Sequence, residues 1–94
     1  MAIVTVRHSV NDYPKWKTVY DEGKSMVKSM GGKRQTLYKN AEKPNELIIV
    51  TEVDSIENAK KLVQSEELRN AMQKGGVVGS PVITFLDEVE DSAL

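Results

Sequence analysis

From Ala2 to Val10, in AIVTVRHSV, Val4, Val6, His8 and Val10 point one way and Ile3, Thr5, Arg7 and Ser9 the other. This period of two predicts a strand. The period then lengthens: Trp16, Val19, Tyr20, Gly23, Val27 and Met30 recur at three- and four-residue steps, one apolar stripe along one helix. Asp12 is placed to cap that helix, and Pro14 falls in its first turn, where a missing N–H costs little. Gly31-Gly32 is its predicted end, since glycine accepts the left-handed conformation that closes helices. A second strand follows over about Lys33 to Lys39, then the polar turn NAEKPNE and a third strand, LIIVTEV, from Leu47 to Val53. Ser55 is the predicted cap of a second helix that buries Ile56, Ala59, Leu62 and Val63. Ser65 is a further cap, before a short helix carrying Leu68, Ala71 and Met72 and opening on two glutamates that suit its positive end. GGVVGSP breaks the pattern as a helix end and turn, VITFLDEV predicts a last strand over about Val82 to Val89, and EDSAL reads as a loose tail.

The order is β-α-β-β-α-β, the ferredoxin-like α+β arrangement. It has one four-stranded antiparallel sheet, the first and third strands in the middle, and both helical segments on one face. Residues 1–94 are expected to form a single domain, because a chain of this length has room for one core. Two helices cover only one face, yet the third and fourth strands are apolar on both. Leu47, Ile49 and Val53 oppose Ile48 and Val50, and Val82 and Leu86 oppose Ile83, Phe85 and Val89. A sheet with a wet back alternates cleanly. A second copy of the chain is the simplest cover. Burying ~600 Å² of apolar surface per chain would supply on the order of 15 kcal/mol before association costs. A homodimer is expected.

Composition narrows the chemistry. Thirteen basic residues against fourteen acidic ones, with no long block of either sign, give no basic face for nucleic acid. The lysines at 15, 17, 24 and 28 read as the wet side of the first helix. The chain has no cysteine, hence no disulfide, thiolate nucleophile or Cys-based metal site, and its one histidine cannot build a facial iron site. No apolar run approaches membrane-spanning length and MAIVTVRHSV has no basic leader, so a cytoplasmic protein without metal or organic cofactor is expected. The glycines at 75, 76 and 79 do not form a phosphate loop.

The run VTVRHSV leading to DYPKWK, the segment PNELIIVTEVDSIENAKKLVQSEELRNAMQKGGV and the closing VITFLDEV together resemble the dimeric α+β barrel superfamily, in particular antibiotic-biosynthesis-monooxygenase-like domains. The resemblance covers nearly the whole chain and contains no catalytic signature, so it speaks to fold more than to activity. It implies two sheets closing back to back into a barrel in a homodimer, and a ligand cleft between each sheet and its own helices. Its members include cofactor-independent oxygenases of aromatic polyketides, haem-degrading oxygenases, isomerases and decarboxylases. The haem-degrading branch uses an Asn, a Trp and a His; at or next to those positions stand His8, Leu62 and Met72. Leu62 cannot distort a macrocycle as an indole does, which argues against haem degradation and leaves open haem binding through His8 alone.

Within the implied cleft, His8 is the candidate acid/base, able as a neutral imidazole to take a proton from a phenol or carbon acid. Trp16, Tyr20 and Tyr38 are the candidate stacking surfaces for a small aromatic or polyketide-like molecule. Each has a structural reading beside it: His8 as a hydrogen-bonded strand-end residue, Trp16 as core. Arg7, on the face opposite His8, would pair with an acidic group of the other chain or anchor an anion, and Arg34 should lie across from Glu52. A non-catalytic ligand-binding or dimerisation module is the alternative to an enzyme.

Overall fold

The computed structural model describes residues 2–94. Its order is β1 (Ala2–Val10), α1 (Tyr13–Glu22), α2 (Lys24–Ser29), β2 (Gly32–Lys39), β3 (Glu46–Val53), α3 (Ile56–Gln64), α4 (Glu66–Lys74) and β4 (Val77–Asp87). The strands form one antiparallel sheet in the order β2-β3-β1-β4, so the first and third strands are central as expected. The three caps act as the sequence suggests. Asp12 Oδ1 accepts from the Lys15 amide at 3.1 Å, Ser55 Oγ from Asn58 at 3.1 Å and Ser65 Oγ from Leu68 at 3.2 Å.

Two elements differ from the expectation. The first helix is two, interrupted at Gly23, where glycine weakens the helix interior. The last strand begins at Val77, five residues before the expected Val82: Val77 and Val78 pair with Val10 and Ser9, and residues 79–81 form an irregular stretch within the strand. The β1–β4 register shifts between Arg7 and Ser9, and Gly79 takes up the irregularity with φ +74°. β4 is therefore bulged opposite His8.

Alternation along the strands sets the two faces. Val4, Val6, His8 and Val10 of β1 and Leu47, Thr51 and Val53 of β3 are buried on the helix side. The core falls into two clusters, Val10, Trp16 and Leu47 with Tyr20, Leu37, Ile49 and Val77, and Val4, Val53 and Ala59 with Val63, Ile83 and Phe85. Fully burying a residue such as Leu47 is worth about 1.5–3 kcal/mol. The other face carries Ile3, Arg7, Ile48, Val50, Tyr38, Val82 and Leu86, and no helix crosses it. Arg34 pairs with Glu52 in register, Nε 4.0 Å from Oε2, both at the surface.

Candidate functional site

A cleft lies between the helix side of the sheet and the helices. β1 supplies His8, β3 Ile49 and β2 Gln35; α1 supplies Trp16, Val19 and Tyr20, α2 Met26 and Val27, and α4 Leu68, Ala71 and Met72. It encloses about 70 Å³ and is almost wholly apolar. Trp16 is 4% exposed; its ring meets His8 edge-on at 5.6 Å and 60°, and stacks on Tyr20 at 5.0 Å and 18°. The close seating of α4 depends on Gly75, where a β-carbon would stand 3.0 Å from Trp16 Cδ1. The strand end and the helix start thus meet in space, so Trp16 is at once core and wall.

His8 is the unusual group. It is 5% exposed, and neither Nδ1 nor Nε2 has a hydrogen-bond partner among the described residues. A buried polar group without a partner is uncommon and costs about 1–3 kcal/mol. The hydrogen-bonded structural reading of His8 thus finds no protein partner among the described residues. Burial holds its pKa below the ordinary imidazole value because desolvation penalises the charged form. At neutral pH the ring is neutral, with one nitrogen able to accept and the other to donate. Burial likewise pushes the Tyr20 phenol up, against the opposing pull of Lys17.

Of the expected stacking residues, Trp16 and Tyr20 line the cleft and Tyr38 does not. Leu37 pairs with Ile49 on the helix side, which puts Tyr38 with Ile48 on the opposite face, 54% exposed. Arg7 pairs with Ile48 and Val82 on that same open face. One lining residue escaped the sequence reading: Gln35, whose Nε2 donates to Thr51 Oγ1 at 3.2 Å and which forms a polar end to the cleft. Its signal was the register that sets Gln35 opposite Thr51. About 70 Å³ is far short of a haem macrocycle, and below the roughly 300 Å³ of a typical drug-sized pocket. It suits one small apolar body, with more room only if Met26 and Met72, flexible thioether chains, give way.

The sheet order and one-sided helices define the ferredoxin-like α+β class, and within it the fold is that of antibiotic biosynthesis monooxygenase domains. A candidate antibiotic biosynthesis monooxygenase from Bordetella bronchiseptica superposes with a TM-score of 0.80 at 12% identity, covering 95% of this chain and 98% of its own. A second, from Caulobacter crescentus, gives 0.77 at 19%, covering 95% and 90%. SnoaB, a cofactor-independent oxygenase from Streptomyces nogalater, gives 0.75 at 9%, covering 96% and 93%. No family model matches the chain, and no curated protein matches it. Likeness at these identities carries the fold; the chemistry has to come from the site.

Proposed function

We propose that the chain is a small homodimeric oxygenase-like protein that binds a compact aromatic molecule in the sheet–helix cleft, with His8 as its acid/base. The observation that carries this reading is the buried imidazole without a protein partner at the wall of an apolar cavity. A phenol or enol placed there would complete the missing hydrogen bond, and Trp16 and Tyr20 offer flat surfaces beside it. Proton transfer to His8 leaves the substrate as an anion. Electron transfer from the delocalised anion to dioxygen, C–O bond formation between the resulting pair, and O–O cleavage with the proton from His8 leaving in water would convert one phenol and one dioxygen to one benzoquinone and one water. The substrate supplies all four electrons, so no separate reductant is needed. SnoaB, which shares this fold, is a cofactor-independent oxygenase, so the fold can host such chemistry.

The homodimer rests on the open sheet face, where Val82 is 47% and Leu86 41% exposed on one edge strand and Tyr38 54% on the other, with Ile48, Val50 and Ile3 between them. A contiguous apolar face of this kind marks an interaction surface, and two such sheets would close a barrel. We place the protein in the cytoplasm; no helix among the described residues is long and apolar enough to cross a membrane.

The small size of the cavity supports a second reading, a binding module for a compact ligand without turnover. Oxygen uptake measured with single-ring phenols and hydroquinones separates the two. The oxygenase reading expects uptake in the wild type, and its loss in His8→Ala with dimer mass unchanged. No uptake, but a shift of the single histidine's ring resonances on adding phenol, selects the binding module. Neither effect would remove the cleft as a ligand site.

A further inference from the structure

The cleft has two ends. His8 lies beside Leu47, whereas Gln35 pairs with Thr51, four residues further along β3, or roughly 13 Å of strand. At the Gln35 end the cleft meets a hollow of about 430 Å³ lined by Lys24, Lys28, Gly32, Lys33 and Arg34, with Val27 and Gln35 forming walls of both spaces. Three lysines line that mouth and none of its lining residues is acidic; Arg34 lines it through its backbone position, its side chain lying with Glu52 on the other face. Two of the cations have carboxylate partners: Lys24 lies 3.1 Å from Asp21 Oδ1, which also holds Lys17 at 2.7 Å, and Arg34 lies 4.0 Å from Glu52. Lys28 and Lys33 have no ion-pair partner among the described residues.

We propose that the cleft's ligand is an aromatic carboxylate, its ring and hydroxyl lodged toward His8 and its carboxylate at the Gln35 mouth, met by Lys28 and Lys33. This rests on the cleft being the ligand site and adds the class of molecule it takes. Charge complementarity carries it. An apolar slot that shares its Val27 and Gln35 walls with a hollow carrying two unpaired lysines fits a molecule with one apolar and one anionic end, and those lysines also draw the anion toward the opening. The amide of Gln35, held by Thr51, stands where slot and rim meet and offers a hydrogen bond to the same carboxylate.

The test uses the full chain and two probes, 3-(4-hydroxyphenyl)propanoate and its primary amide, titrated while following the ring resonances of the single histidine. The acid is expected to bind about five- to tenfold tighter than the amide at low salt, as two partly exposed ion pairs allow. That preference should shrink toward unity as the screening length falls to ~3 Å near 1 M salt. Replacing both cations, Lys28→Gln with Lys33→Gln, should abolish the preference and leave the amide's affinity unchanged, which also reports that the variant is folded. Lys15→Gln with Lys61→Gln, away from the mouth, should keep the preference. Equal binding of acid and amide, with His8 perturbed by both, overturns the anion preference and leaves the cleft standing. No response of His8 to either probe overturns both.

Discussion

The two faces of the sheet are built from the same strands by the same alternation, yet they end in different states. On the helix side Val4, Leu47 and Val53 are essentially inaccessible, and among the described residues the only polar side chains taken deep are Thr51, bonded to Gln35, and His8, which bonds to none of them. On the open side Tyr38, Val82 and Leu86 are exposed around Arg7. The covered face shows what this chain does with apolar surface when it can reach it. Its one imperfection, an apolar cavity walled by an unpartnered imidazole, is therefore informative. The open face carries comparable apolarity with no intramolecular cover, which packing within one chain leaves unexplained.

Substitutions that treat the faces unequally test this contrast. The largest effect is expected at Leu47→Ala, a loss of about 2–5 kcal/mol through a new cavity, visible as a lower denaturant midpoint at unchanged slope. A loss under 1 kcal/mol there would mean that the covered face is not the true core. Next comes the double substitution Val82→Glu with Leu86→Lys. It should leave the circular dichroism spectrum intact while sedimentation shifts from dimer to monomer; an unchanged mass would put the interface elsewhere. His8→Leu should raise stability by about 1 kcal/mol, because it removes two unsatisfied nitrogens from an apolar wall, and should end ligand binding at the same time.

The sign of its pH dependence is fixed as well. With the folded pKa lowered by burial, the unfolded chain binds the proton more readily. Wild-type stability is therefore complete above the ordinary imidazole value near ~6.5 and falls as pH drops from there toward the lowered folded value. That decline should be absent from the difference between wild type and His8→Leu only if burial leaves the imidazole unperturbed. Smallest of all, Arg34→Gln should change stability by less than about 0.5 kcal/mol, since the pair with Glu52 is long and solvated.

Much of this was legible before any coordinates. Period-two and period-3.6 patterns gave the element order, Asp12, Ser55 and Ser65 gave the helix starts, and parity along β1 put His8 on the covered face and Arg7 on the other. Four things were not readable. The break at Gly23 looked like one more small residue on a continuous stripe, because the stripe itself resumes at Val27. Tyr38 looked like a cleft residue until the hairpin register, which depends on the whole NAEKPNE turn, gave that side of β2 to Leu37. The cationic mouth was hidden because Lys24 and Lys28 read as solvated helix residues; only the chain reversal after Met30 brings Lys33 beside them. The size of the cleft is a matter of a few ångströms between Met26, Tyr20 and Met72, below the resolution of any pattern.

The strand β1 has a consequence of its own. It is central, bonded to β3 on one side and β4 on the other, and its even positions face one compartment while its odd positions face the second. Variation at Val6 or His8 can therefore reshape the cleft side without touching the open face, and variation at Thr5 or Arg7 does the reverse. A single inserted residue would exchange the two sets and lose both at once. Length changes are instead tolerable in β4, where the irregular stretch around Gly79 already breaks the register. In this fold, drift in sequence length should accumulate beside the site rather than through it.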